Sequence, residues 1–522
     1  MPAGILGPMA ASVSWLLALV LLALPQQDET IRDFKKFFRK AKDPAERAEH
    51  VHALEGIDDP GVAQVLLPVL TDDDPMVAAA ALEVVAQLPS ERARAPFAPV
   101  FEKGKPADVL PILVRAAGEG GWREFLEPIR ELLGSRDDEI RLWATVAVGR
   151  LGDEASLPTL ARLATEDKRT AVRVAAVDSL KTLGKGHEDV AGPALVAALD
   201  DAELSVQTAA CLALRVVRVK EAIPVLIRLM EEAEGRIHEH LYPTLVEITD
   251  LPFREDPGQW RNWWERAKDR YELLSDEEIA ARRAAREKTN LEYRPARKEA
   301  SFLGVDTPSE RVIFVIDVSG SMEESVVDRE LFRERGFHSF GKLDIVREEL
   351  LRTIEGLGSN VRFNILAFAS EVMPWRRDLA PANALNKRSA ADFVRKLKPI
   401  GGTAAGELAG AGLVGSSGLA KGRTNTYAAL CAALGVAEEE ALGPATESAR
   451  EVRSSVDTVF FLSDGRPSVG RLVDPDDILE AVEKINRFRR VTIHTIAIGE
   501  FQKDFMEYLA EKNGGVFVDL GR

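Results

Sequence analysis

Cysteine is nearly missing from this chain: two residues in 522, Cys211 and Cys431, each inside an Ala/Leu-rich helical pattern. That excludes a disulfide framework and a thiolate metal centre, and leaves both as small buried hydrophobes. Excess base is missing as well. The 68 Lys and Arg stand against 84 Asp and Glu, and a net charge of −16 excludes a surface built to neutralise phosphates. The sequence holds no His-Glu-x-x-His helix, no Gly-x-Ser-x-Gly elbow and no Gly-x-x-x-x-Gly-Lys-Ser/Thr loop, so three common enzyme signatures are excluded. Two of the seven histidines, His238 and His240, lie two apart on a helical pattern; they would face different ways and are expected to be solvent-exposed.

Long apolar runs are absent after the first residues, and the exception is informative. Met1 to Gln27 carries no charged side chain, and Val13 to Leu24 is almost entirely apolar before Pro25 and the polar Gln26-Gln27-Asp28-Glu29. This reads as a signal peptide over residues 1–27, or, left uncleaved, as an N-terminal anchor of about the 20 residues that span a bilayer. Either reading places the protein outside the cytoplasm: periplasmic, extracellular or membrane-anchored.

What is present first is a repeat. From about Ile31 to Asp250 an acidic turn and an Ala-rich helix recur every thirty-odd residues, as in Arg141-Leu-Trp-Ala, Arg173-Val-Ala-Ala and Val206-Gln-Thr-Ala. A second helix follows each, expected to open on a proline: Pro158, Pro193, Pro224, and by the same phrase Pro68 and Pro243. Proline is tolerated in a first turn because its missing N–H has no partner there. Paired helices at this period predict an α-solenoid, and the pattern resembles HEAT repeats in a short bacterial form. Trp260, Trp263 and Trp264 share one helix face and are expected to cap the last repeat. The charged stretch from Leu274 to Leu291 reads as a solvated linker. The expected division is thus residues 28–272 for the solenoid, 273–303 for the linker and 304–522 for a second domain.

Near Arg311 the periodicity changes. Short branched runs, Val312–Ile316, Val361–Phe368, Val459–Leu462 and Val491–Ile498, alternate with helical patterns, which predicts a doubly wound, mostly parallel α/β sheet with its site at the carboxyl ends of the strands. The first run ends in Asp317-Val-Ser319-Gly-Ser321. Alternate side chains in extended chain point one way, so one carboxylate and two hydroxyls converge: hard oxygen donors for Mg²⁺, Mn²⁺ or Ca²⁺. A later run ends in Ser463-Asp464-Gly465, and Thr424 opens a helix between them.

These three strings, in order at strand ends, resemble the metal-ion-dependent adhesion site of von Willebrand factor A domains. The resemblance implies a Rossmann-like fold over residues 304–522. It implies a divalent cation, Mg²⁺ first with Mn²⁺ or Ca²⁺ as alternatives, held by Asp317, Ser319, Ser321, Thr424 and Asp464. Thr403, in a Gly/Ala/Ser-rich insert over residues 401–422, is a rival to Thr424, which leads straight into a helix as the family's threonine does. It further implies a non-enzymatic, cation-dependent protein–protein interaction in which a partner's Asp or Glu carboxylate completes the metal, with no nucleic acid involved. The alternatives are a metal-dependent hydrolase, or an accessory subunit of an ATP-driven chaperone or metal-insertion complex.

Overall fold

Many helices of the N-terminal half begin at an aspartate followed by proline. Asp43, Asp59, Asp74 and Asp256 each cap a helix whose first residue is proline, their carboxylates accepting the free N–H groups of the first turn. The computed structural model describes residues 29–287, 301–302, 305–306, 308–327, 329–334, 336–401, 422–443, 456–498 and 503–520. The apolar N-terminal segment, most of the insert with Thr403, and residues 288–300 of the expected linker lie outside them. The described residues up to Ser156, with Leu442 and Gly443, form one compact unit, and the others form a second.

Both units contain helical repeats, and a recurring polar contact fixes the entry to several first helices. The side chains of Arg94 and Arg141 donate to the carbonyls of Leu88 and Ser135, at 2.8 Å each, in the first unit. Arg173 and Gln207 donate to the carbonyls of Asp167 and Asp201, also at 2.8 Å, in the second. In every case donor and acceptor are six residues apart. Arg173 also forks onto both oxygens of Asp201, at 2.7 and 2.9 Å, tying its repeat to the next. Between these rungs the apolar faces close on one another: Phe97, Trp122 and Trp143 are fully buried in the first unit, Leu160, Leu195 and Leu226 in the second. Each such side chain stabilises by about 1.5–3 kcal/mol.

Not every expected proline opens a helix. Pro158 and Pro224 lie in first turns. Pro193 and Pro243 instead lie inside the helices Glu188–Ala198 and His238–Thr249, each of which starts five residues earlier. Glu188, Asp189 and Glu239 favour these earlier starts by placing carboxylates at the helix amino ends. Pro68 follows the helix Pro60–Leu66 rather than opening one.

The helix Pro257–Ala267 lies against Ala222–Glu232, with Trp260 fully buried and its indole N–H on the Arg254 carbonyl at 2.9 Å. The charged stretch beyond it is a helix, Asp276–Glu287, that returns to the repeats: Ile279 is buried and Arg283 pairs with Glu247 at 2.7 Å. His238 and His240 are half-buried rather than exposed. His240 is enclosed without a partner for Nε2, and burial, with Arg236, Arg215 and Arg490 nearby, pulls its pKa down to about 3.

The C-terminal part of the second unit is an α/β domain. Its parallel strands are β1 (Arg311–Asp317), β2 (Arg362–Phe368), β3 (Thr458–Ser463), β4 (Thr492–Ala497) and β5 (Phe517–Asp519). They stand in the order β2-β1-β3-β4-β5, with the short antiparallel strands Val372–Pro374 and Ala380–Pro381 on β2. The intervening helices are α1 (Lys342–Gly356), α2 (Ala384–Lys396), α3 (Thr426–Ala433), α4 (Pro475–Asn486) and α5 (Lys503–Lys512). Val312, Phe314 and Ile316 alternate into a core shared with α1 and α2, while α3 lies against β1 and α5 against β4 on the sheet. The chain steps from β1 to β2 on one side and returns to β3 on the other, so the switch point of the sheet falls between β1 and β3.

The amino ends of the same strands meet the repeats. Arg236, on the turn before His238–Thr249, is buried there and donates to the Arg490 carbonyl at 2.6 Å and to the Thr492 hydroxyl at the start of β4. Arg490, held at a positive φ of 55°, sends its guanidinium back to Asp178 of the helix Thr170–Leu183.

Candidate metal site

At the switch point, β1 and β3 pair in parallel as far as Ile316 opposite Leu462, so Asp317 and Ser463 are the next residues in register. The Ser463 hydroxyl donates to Asp317 Oδ2 at 2.6 Å, and the Ser319 N–H donates to Asp317 Oδ1 at 2.8 Å. Asp317 is fully buried. Burial, with Asp464 nearby as a second negative charge, pushes its pKa up to about 6.

The loop after β1 turns at once, and its hydroxyls chain together: Ser319 Oγ lies 3.2 Å from Ser321 Oγ, which donates to Asp464 Oδ1 at 2.7 Å. Backbone bonds hold the neighbouring loops to it. Gly320 N–H reaches the Gly422 carbonyl at 3.1 Å, and Asn425 N–H the Ala369 carbonyl at 2.9 Å. The Ser468 hydroxyl accepts from Thr424 N–H at 2.9 Å, and Asn425 caps α3 by accepting from Ala428 N–H at 3.1 Å. Thr424 is thereby fixed at the mouth of α3, buried, with its hydroxyl toward Gly465.

Gly465 marks the focus. A Cβ at that position would stand 3.2 Å from Thr424 Oγ1, 3.5 Å from Ser321 Oγ and 3.9 Å from Asp317 Oδ2. The glycine keeps open the space on which these three oxygens converge. The five oxygen-bearing residues expected from the sequence, Asp317, Ser319, Ser321, Thr424 and Asp464, therefore stand together; Thr403 falls outside the described residues. Two carboxylates and three hydroxyls with such a cradle fit a hard divalent cation. Asp317, itself fully buried next to a second carboxylate, calls for positive charge nearby.

Several residues at the site were not singled out in the sequence. Ser463 orients Asp317. Lys342, first residue of α1, donates to Asp464 Oδ2 at 2.6 Å and to Glu324 Oε2 at 2.8 Å. Burial alone would lower the Lys342 pKa, but these two acceptors outweigh it and hold the ammonium above its ordinary value. A cavity of about 400 Å³ opens here, lined by Ser319, Ser321, Thr424, Asp464, Lys342 and Glu324, with Arg423 and Arg466 exposed at its rim. Ser463 directly precedes Asp464 in the sequence. Lys342 was hidden inside an ordinary amphipathic helix start.

Comparison with known proteins identifies the two kinds of domain. Residues 31–110 and 104–181 match HEAT repeats, and residues 336–409 and 421–519 match the von Willebrand factor type A domain. The latter match begins after the Asp317–Ser321 loop and includes Lys342, Thr424 and Asp464. The chain is 27% identical over 214 residues to inter-alpha-trypsin inhibitor heavy chain H4 of Homo sapiens, covering 41% of this chain but 18% of the relative. It is 26% identical over 180 residues to von Willebrand factor A domain-containing protein 3B of Homo sapiens, covering 34% of this chain and 10% of the relative. The match therefore spans under a fifth of the length of these relatives. Among solved structures, a von Willebrand factor type A protein from Catenulispora acidiphila aligns at 17% identity and a TM-score of 0.27, over 41% of this chain and 39% of that one.

Proposed function

The chain carries HEAT repeats followed by a von Willebrand factor type A domain, and from that premise we propose that it is a non-enzymatic, divalent-cation-dependent protein-interaction protein. The carrying observation is the convergence of Asp317, Ser321 and Thr424 oxygens around Gly465, with Asp464 bound to Ser321 behind them.

Asp317, Ser319, Ser321, Thr424 and Asp464 would hold the ion, Mg²⁺ first by the hardness of the donors. When bound, the ion supplies Lewis acidity toward an anionic oxygen. Three of the donors are neutral hydroxyls, which leave that acidity largely unspent and favour a partner's Asp or Glu carboxylate. The rim supports the same choice: Arg423 and Arg466 are exposed and have no ion-pair partner among the described residues, so a second acidic side chain of the partner would find a cation beside the site. The repeats offer a second surface for protein. The apolar run before Pro25 supports placement outside the cytoplasm, and sequencing the mature N-terminus tests it: a start near Gln26, or retention with membranes, is expected, whereas an intact Met1 in a soluble cytoplasmic fraction refutes it.

The test of the site pairs two measurements on Asp317→Ala. Calorimetric titration with Mg²⁺ or Mn²⁺ should lose its binding heat, and partner capture from the native host should lose its difference between Mg²⁺ and EDTA. Melting in EDTA should be unchanged or slightly raised, since one of two facing buried carboxylates is gone. Undiminished metal binding by the variant overturns the site.

A further inference from the structure

The two carboxylates at the switch point are not held alike. Asp317 is satisfied by neutral donors, the Ser319 N–H and the Ser463 hydroxyl. Asp464 is held on one oxygen by the Ser321 hydroxyl and on the other by the Lys342 ammonium, at 2.6 Å. Its side chain is 0% exposed, so no water reaches it and the lysine is its counter-charge. Lys342 keeps 10% of its side chain exposed, and its second acceptor, Glu324, is 67% exposed. The ammonium thus bridges a buried carboxylate on the metal side and a solvated carboxylate at the mouth of the cavity.

We propose that Lys342 is a tethered cation that stands in for the divalent ion at Asp464 and is exchanged for it, swinging to Glu324 when the ion arrives. This rests on the reading of Asp464 as part of a metal site. The reasoning is electrostatic. A fixed positive charge on a ligand carboxylate repels a second cation aimed at the same group, and that repulsion is strongest where water is excluded. A lysine has the length and rotamer freedom to leave, and Glu324 offers a place to go without carrying an unpaired charge into the protein. The arrangement has two consequences. In the metal-free protein Asp317 and Asp464 can stay close without a bound ion, because one of them is neutralised in place. In the loaded protein the lysine's withdrawal toward Glu324 brings its ammonium to the cavity mouth, beside Arg423 and Arg466. Cation binding is then coupled to the charge that the mouth presents to a partner.

Lys342→Met tests this in the full chain, read by calorimetric titration with Mg²⁺ and with Mn²⁺ and by thermal melting in EDTA. Removing the competing charge should raise metal affinity by roughly tenfold or more. The metal-free protein should melt lower, and added Mn²⁺ should raise the melting temperature more than in the wild type. Glu324→Gln, an exposed change that leaves the fold alone, should weaken metal binding several-fold in the wild-type background and have little effect in the Lys342→Met background, since there is no ammonium left to receive. Equal or weaker metal binding by Lys342→Met, with the wild type binding normally, overturns the exchange and leaves the metal site standing. An equal Glu324→Gln effect in both backgrounds also overturns it. Metal binding by neither protein overturns both the exchange and the site, whereas binding by Lys342→Met alone supports both.

Discussion

Replacing Arg236 with methionine should loosen the α/β domain from the repeats without touching the metal site. The perturbation is well defined because the guanidinium is buried and makes two contacts across the junction: the Arg490 carbonyl at 2.6 Å and the Thr492 hydroxyl. A hydrogen bond from a charged donor nets about 1.5–3 kcal/mol, so the two together stabilise by about 3–6 kcal/mol before the charge itself is considered. Part of that is offset, because burial already disfavours the charged guanidinium and pulls its pKa below the ordinary arginine value. Methionine fills similar volume and removes that penalty. The expected net loss is therefore about 2–4 kcal/mol. The assay is urea unfolding of the full chain, followed by circular dichroism and by tryptophan fluorescence. Trp122, Trp143 and Trp260 report on the repeats, Trp375 on the α/β domain. The variant should show an earlier transition, with the two signals no longer coincident. Mg²⁺ affinity should be preserved, since Asp317 and Asp464 lie at the opposite ends of the strands. A loss below about 0.5 kcal/mol with coincident transitions would mean that Arg236 carries no net stability across the junction.

Thr424→Ala should weaken Mn²⁺ binding at least tenfold while Thr403→Ala leaves it unchanged, as calorimetric titration will show; the reverse ranking would move the ligand into the insert. Stability should also fall on acidification in a way that runs through His494. Burial, and after it the charge of Arg236, lower its pKa to about 4, so the folded protein keeps this ring neutral while the unfolded chain protonates near 6.5. The contribution is whole above pH 6.5 and is lost as the pH drops toward 4, up to about 3 kcal/mol. His494→Gln should reduce the slope of urea midpoints measured between those pH values, leaving the part that His240 contributes, and an unchanged slope would exclude the His494 ring as a source.

The parts of the fold that periodicity encodes were legible in the sequence: the paired helices, the five parallel strands and the helices between them. Each rests on many residues repeating one pattern, and no single substitution could hide it. The Asp-x-Ser-x-Ser, Thr and Asp-Gly strings were legible for a different reason, since strand ends in a doubly wound sheet have a fixed destination. What escaped reading was set by long-range packing. Pro193 and Pro243 look like helix starts, yet acidic residues upstream begin those helices a turn earlier. His240 looks like a surface histidine, yet Arg215, from the preceding helix pair, reaches the His240 carbonyl and the ring is enclosed. Lys342 has nothing in its local sequence to separate it from any lysine at a helix start. Only the 122-residue separation closed by its bond to Asp464 reveals it.

The two ends of one short sheet thus carry opposite electrostatic arrangements. At the amino ends of β3 and β4 the charges are locked: Arg236 lies buried near Asp457, whose carboxyl is raised by burial yet held by the Ser309 hydroxyl, and Arg490 is bound to Asp178. At the carboxyl ends of β1 and β3 two buried carboxylates meet one ammonium that also bonds an exposed glutamate, charges that the proposed exchange makes adjustable. β3 joins them directly, running from Thr458, the residue after Asp457, to Ser463, the residue before Asp464. A rearrangement at Asp464 therefore acts on a strand paired along its length with β4, whose amino end is bonded to the repeats through Arg236 and Arg490. That asymmetry favours movement in the loops around the cavity, where Glu324, Arg423 and Arg466 lie, over movement of the sheet. Anything the cation changes should accordingly be read by a partner at the cavity mouth rather than relayed to the repeats, and Arg236→Met should leave the cation dependence of partner binding intact while Glu324→Gln alters it.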